Sequence, residues 1–419
     1  MTTKTVISPA APASASQRKA KKTRTAEICK PSGRPLPGVL AWPRSVFNGL
    51  TGLARYTYLH LKGQTPPTVN YAQGAAVGFI HYSGKGLTLA QSRKSFRFLV
   101  HTLQSKAGLA KPEQKAQWVK YYKFEENDGG SGYWMPFQDQ THKVNDTGKG
   151  RKQKAIDTAK RRTEFVSQSH VGEGCDLVVF YMHGGGWVEG HPLLSLGLFR
   201  NIMRETLQAY GIKVGFFAVE YSLAPEVPFP GGLEDCLNAY RSLLVHLKDH
   251  NLGPKNVVFG GDSAGGNLCY SLALKIRDEW TPDSLPAAIY SSSPYFPWTD
   301  KFKPTLFDIV NPVDGDFFID AYTQRRPEVL ASPYYTPFNA HTLAGLPPTL
   351  ILWGSVEVLA PWIQKFIEQA RKDGVQVEAM EKPDRSHCWF MLDPVSTVED
   401  RKEGADTIAK FLGKSYKAL

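Results

Sequence analysis

From residue 177 to residue 412 the chain alternates short apolar runs with longer amphipathic ones, and this alternation limits the possible folds more than any other feature. Strands are predicted over 177–182, 214–220, 256–260, 287–292, 349–353 and 375–380. Helices are predicted between and after them, over 194–210, 232–247, 264–277, 361–372 and 403–412. Near-continuous apolar strands separated by helices imply a parallel sheet covered on both faces. Upstream, 118–124 and 133–137 read as two more strands, with Asn127, Asp128, Gly129 and Gly130 supplying the turn of a hairpin. No internal repeat is present.

The remaining segments read as appendages to this unit. Residues 1–38 are poor in apolar side chains and broken by Pro9, Pro12, Pro31, Pro35 and Pro37, the pattern of a disordered basic tail. Residues 39–115 form a helical arm, with helices expected over 40–61 and 87–104. Two such helices cannot bury both faces alone, and amphipathicity does not distinguish an arm docked on the main domain from a cap that touches a membrane. The main domain is then 116–419. Within it, 138–174 is a charged surface insertion, and 295–346 is an irregular stretch placed to serve as a second cap element.

The 419 residues carry a net charge of +11, which by itself admits a nucleic-acid or anionic-membrane partner. The excess is concentrated in the tail, at Lys4, Arg18, Lys19, Lys21, Lys22 and Arg24, and in the charged insertion, so no nucleic-acid partner is expected. The tail also admits reading as a transit or nuclear-localisation signal. Five scattered cysteines with no CxxC spacing predict reduced thiols in an intracellular, cytoplasmic protein and no metal site, with membrane-surface contact through 39–61 left open. No run is long enough for a transmembrane helix. Oligomeric state is not legible.

Gly261-Asp262-Ser263-Ala264-Gly265 lies between the strand over 256–260 and the helix over 264–277. A G-x-S-x-G turn in that context lifts its serine hydroxyl above the sheet, with a helix N-terminus behind it. His183-Gly184-Gly185-Gly186-Trp187 ends the strand over 177–182. Successive glycines there can aim backbone N–H groups at a developing oxyanion, and Gly184, Gly185 and Ala264 are the expected donors.

These two motifs, with Tyr221-Ser222-Leu223-Ala224-Pro225-Glu226 between them, resemble the hormone-sensitive-lipase family of α/β-hydrolases over roughly 118–412. The resemblance implies an α/β-hydrolase fold with a mostly parallel sheet and a helical cap. It also implies hydrolysis of a small-molecule carboxylic ester without cofactor, an aspartate in a Gly-x-x-Asp turn, and a histidine near the C-terminus. Here that turn reads Gly354-Ser355-Val356-Glu357, so Glu357 stands as the acid, with Asp384 as its competitor, and His387 as the base. The order serine, acid, histidine is the one this fold requires. Cys388 replaces the glycine usual after the histidine. His183, Gly186, Asp262 and Glu226 are supporting residues.

Trp187, Tyr295, Phe296, Trp298, Tyr334, Tyr335, Trp389 and Phe390 lie near the motifs or in 295–346. They either line a pocket for a lipophilic substrate or fill core. An amidase or acyltransferase on the same triad, and a non-catalytic ligand-binding homologue, are the alternatives.

Overall fold

In the computed structural model, strand β3 (Leu177–Met182) shows how the sheet is organised. Leu177, Val179 and Tyr181 point into one apolar layer, and Val178, Phe180 and Met182 into the other. All six are buried, the condition of a strand with helices on both faces. The structure describes residues 38–83, 89, 93, 119–124, 130–137, 170–297, 305, 307–310, 312–391 and 395–418. Residues 1–37 of the expected disordered tail, the helix over 87–104 apart from residues 89 and 93, and 138–169 of the charged insertion lie outside them.

Eight strands form one sheet in the order β1-β2-β4-β3-β5-β6-β7-β8. They are β1 (Lys120–Lys123), β2 (Ser131–Met135), β3, β4 (Val214–Glu220), β5 (Val257–Asp262), β6 (Ala288–Ser292), β7 (Thr349–Gly354) and β8 (Val377–Lys382). The hairpin β1–β2 joins β4 antiparallel, and every pair from β4 to β8 is parallel. One face is covered by α3 (Leu196–Tyr210) and α9 (Val398–Lys417), the other by α4 (Gly231–Lys248), α5 (Ser263–Glu279) and α8 (Ala360–Lys372). The main elements fall within a few residues of their sequence-based bounds, because buried strands and amphipathic helices leave the strongest periodic signals.

The sequence reading misses three helices. The stretch 295–346 is not wholly irregular: α6 (Pro312–Thr323) and the short α7 (Pro327–Leu330) lie within it. Gly315 in the first turn and the contiguous Phe317, Phe318 and Ile319 hide the helical period. Helix α2 (Tyr71–Ser83) follows α1 (Gly38–Leu61) and is so rich in small and apolar residues that no polar face marks it. Its glycines let it close on α1: a Cβ on Gly78 would stand 2.9 Å from the Gly52 carbonyl oxygen, and one on Gly74 would strike the Tyr56 ring. Among the described residues no helix is long and apolar enough to cross a membrane.

The α1–α2 pair docks on the C-terminal part of the chain. Arg385 donates to the Thr68 carbonyl (3.1 Å) and hydroxyl (3.0 Å), and Gln73 donates to the Val395 carbonyl (3.2 Å) and to Asp400 (2.9 Å). Asp400 also accepts from Arg385 Nε (3.1 Å) and from the backbone of Thr397, whose side chain caps α9. One buried carboxylate therefore joins the arm, the loop at 385 and the start of α9. Removing it would strand the largely buried Arg385 charge. Asp400→Ala is expected to cost about 3 kcal/mol in urea unfolding, well beyond the loss of a helix cap alone, which is worth about 1 kcal/mol.

Candidate active site

Strand β5 ends at Asp262 and α5 begins at Ser263, so strand passes into helix with no intervening residue. A turn this tight puts Ser263 at φ 52°, in the left-handed region that a non-glycine residue seldom adopts. Ser263 stays partly exposed while Asp262 and Ala264 are buried. Its carbonyl accepts the Tyr295 N–H at 2.9 Å, which ties the elbow to the segment after β6.

The acid and base come from the loops after β7 and β8. Nδ1 of His387 lies 3.0 Å from Oε2 of Glu357, and both side chains are buried. The longer glutamate arm thus reaches the imidazole. Asp384, the competing acid, accepts the Thr68 N–H at 3.3 Å instead. The two loops pass so closely that a Cβ on Gly354 would stand 1.9 Å from the Arg385 carbonyl oxygen.

A carboxylate unmarked by any sequence motif holds these loops together. Asp308, fully buried, accepts the N–H of Val358 at 2.8 Å through one oxygen and the N–H of His387 at 2.9 Å through the other. It therefore spans the backbone beside the candidate acid and that of the candidate base. The Ser293 hydroxyl, just past β6, accepts the Cys388 N–H at 2.9 Å. Cys388 itself stands at φ 53°. That value gives a physical reason for a glycine after the histidine, since only glycine takes this conformation without strain.

Burial pushes the Glu357 carboxyl up to about 8, against the Ser293 hydroxyl and the Gly354 backbone, which lower it. Burial pushes the His387 imidazole down, while the charges of Asp308 and Asp262 pull it up. Beyond the hydrogen between them, the pair titrates one proton. With that proton the pair is neutral, and without it the pair carries a buried negative charge. The direction governing the pair is therefore Glu357's: burial favours the protonated state. Asp308, itself raised to about 6 by burial, adds to this whenever it is ionised.

The glycine loop is held from below by Asp262. Its buried carboxylate accepts the Tyr181 hydroxyl at 2.6 Å and the Gly184 N–H at 3.1 Å. The Gly184 N–H, one of the expected oxyanion donors, is therefore already spent on an internal acceptor. The Gly185 and Gly186 N–H groups have no such acceptor among the described residues, and both residues have positive φ. His183 stacks on Tyr221 with ring centroids 4.3 Å apart, and its Nδ1 lies 2.7 Å from the Gly184 carbonyl oxygen. Burial lowers its pKa to about 4, so it is a neutral brace. Glu226 is exposed: its carboxylate pairs with Arg93, which also donates to the carbonyls of Val188 (2.8 Å) and Ala224 (2.7 Å). Arg93 was invisible to motif reading because a lone arginine in the arm carries no pattern.

Most of the aromatic residues fill core. Trp187 stacks on Tyr322 at 4.5 Å and tilts against Tyr295 and Tyr335; Phe296 stacks on Phe366; Trp389 meets Phe390 edge-on. All of these are buried. Tyr334 lies nearer the surface beside Asp278, and Trp298 is outside the described residues. Among the described residues no cluster of three or more His, Cys, Asp or Glu is arranged to hold a metal ion.

A family model described as the alpha/beta hydrolase fold matches residues 179–391. An acetyl-hydrolase of Streptomyces hygroscopicus is 34% identical over 230 residues, 52% of this chain and 69% of that one. The hormone-sensitive lipase of Mus musculus is 33% identical over 129 residues, 30% of this chain and 16% of that one. For the acetyl-hydrolase and four further relatives, the matched stretch spans 59% to 72% of the relative's length. Among solved structures, an esterase from the bacterial hormone-sensitive lipase family aligns with TM-score 0.59 at 23% identity, covering 83% of this chain and 99% of that one.

Two substitutions test the loop geometry. Cys388→Gly is expected to keep activity within about threefold, because glycine accepts the left-handed backbone, whereas the β-branched Cys388→Val should lower both stability and turnover by raising the strain there. Asp308→Asn keeps the shape but can satisfy only one of the two N–H groups. It is expected to lower kcat about tenfold or more and, by removing a negative charge, to shift the acid limb of the pH profile to lower pH.

Proposed function

This chain belongs to the α/β-hydrolase fold family, in its hormone-sensitive-lipase-like group of carboxylic ester hydrolases, and on that premise we propose that it cleaves esters through an acyl-enzyme formed on Ser263. The observation that carries this reading is the buried Glu357–His387 pair at 3.0 Å, beside an elbow that holds a serine at positive φ.

In this mechanism His387 takes the Ser263 proton as the oxygen attacks the ester carbonyl. Glu357 accepts the Nδ1–H, fixes the useful tautomer and stabilises the imidazolium. The N–H groups of Gly185, Gly186 and Ala264 receive the oxyanion, with Asp262 holding the loop through Gly184. A single donor of this kind is worth about 3 kcal/mol. Collapse expels the alcohol, which takes its proton from His387; water then releases the acid by the same route. No step needs a metal or organic cofactor. The retained trio Ser263, Glu357 and His387 argues against a non-catalytic binding homologue, since such a descendant has no use for the base.

Fluorophosphonate labelling with peptide mapping tests the nucleophile. Label is expected on Ser263 in the wild type, none in Ser263→Ala, and a steep loss of labelling rate in His387→Ala. A folded wild type that takes no label at Ser263 would overturn the reading. Glu357→Gln should lower kcat by about 10³-fold or more by leaving the imidazole in the wrong tautomer. Glu357→Asp, one methylene short, should fall between. The reactive pair is the deprotonated one, so kcat/KM must rise with pH through the pair's titration. Because burial favours the protonated pair, the acid limb is expected above about 6.5, the ordinary histidine value. Adding an acceptor alcohol to the assay separates hydrolysis from acyl transfer, and an amide analogue of the ester separates esterase from amidase.

A further inference from the structure

The two faces of α1 meet different surroundings. Gly49, Gly52 and Tyr56 are buried against α2. On the opposite face Phe47 is 68% exposed, Leu50 51%, Tyr58 59% and Leu61 81%. At about 100° per residue, Phe47, Leu50, Ala54, Tyr58 and Leu61 fall within an arc of roughly 80°, one stripe along a helix about 36 Å long. The exposed Arg55 and Lys62 lie along one border of that stripe, with the Lys62 Nζ 6.0 Å from the centre of the Tyr58 ring.

The surrounding sequence has one sign of charge. No acidic residue stands between Glu27 and Glu113, while lysine and arginine recur throughout that stretch and the tail before it. Two copies of the chain meeting stripe to stripe would bring like charges together with nothing to neutralise them. A nucleic acid would meet the basic residues but leave the leucine and aromatic side chains without a role. An anionic bilayer surface satisfies both: the rings and leucines enter the boundary of the acyl chains, and the cations meet lipid phosphates.

We infer that α1 docks this protein on an anionic lipid surface, lying in the headgroup plane with Phe47, Leu50, Tyr58 and Leu61 immersed. The α1–α2 turn that carries Thr68 is bonded to Arg385, two residues before His387. Docking would therefore bring the lipid surface to the element that also abuts the candidate base. That the ester partitions into the bilayer rests on the esterase reading; the docking itself does not.

The test is flotation of the full chain with vesicles of neutral phosphatidylcholine and with vesicles in which about a third of the lipid is phosphatidylserine. Binding to the anionic vesicles is expected to exceed that to the neutral ones by about tenfold or more and to weaken with salt. Phe47→Ser combined with Leu61→Ser should lower binding about tenfold while leaving hydrolysis of a water-soluble p-nitrophenyl ester unchanged, since both side chains are exposed and neither belongs to the proposed catalytic machinery. Equal flotation of variant and wild type would overturn the proposal. So would a wild-type dimer that the variant dissociates, or salt-sensitive RNA binding without vesicle binding. Flotation with no hydrolysis of the soluble ester would leave the docking standing and sink the esterase reading instead.

Discussion

Backbone N–H groups buried in a loop need acceptors that no sheet or helix supplies, and the site of this protein is built around that need. Asp308 meets it for Val358 and His387, and Asp262 meets it for Gly184. Each carboxylate couples segments far apart in sequence, and each stands where the chain must turn sharply beside a reactive group. The carboxylates are costly to bury, and burial raises the pKa of both. In return the loops have one arrangement, which a serine, an imidazole and an oxyanion loop must share if they are to converge on one carbonyl carbon.

The parts legible in the sequence are those with a repeating physical signature or an unavoidable residue type. The central strands were legible because burial on both faces requires unbroken apolar runs. The elbow at Ser263 was legible because a strand-to-helix reversal needs glycines on either side, and the pairing of Glu357 with His387 because each follows the end of a strand. The illegible parts depend on partners that are remote in sequence. Nothing in the neighbourhood Leu306-Phe307-Asp308-Ile309 announces a carboxylate that will receive two backbone amides from 50 and 79 residues away. Nor could sequence show that Asp262 would occupy the Gly184 N–H, one of the expected oxyanion donors. Helix α2 escaped because helical periodicity needs a polar face to be seen, and this helix has almost none.

The aromatic residues show the limit of arguing from composition to substrate. Trp187, Tyr295, Tyr322 and Tyr335 form a stack of rings behind the glycine loop, and stiffness is its direct physical effect. Trp187 also holds its backbone at φ 60°, so packing around its ring fixes the exit of that loop. Rings near a motif thus stiffen the loop beside them whether or not they line a pocket.

The docking of the arm has a consequence for the order of folding. Thr68 meets Arg385 across 317 residues, and Gln73 meets Asp400 across 327. On the ribosome the arm emerges more than 300 residues before the surface that receives it. The α1–α2 pair, with its apolar faces, therefore waits through most of synthesis without its intramolecular partner, exposed to chaperones or to any other apolar surface within reach. An element made early thus finds its place late.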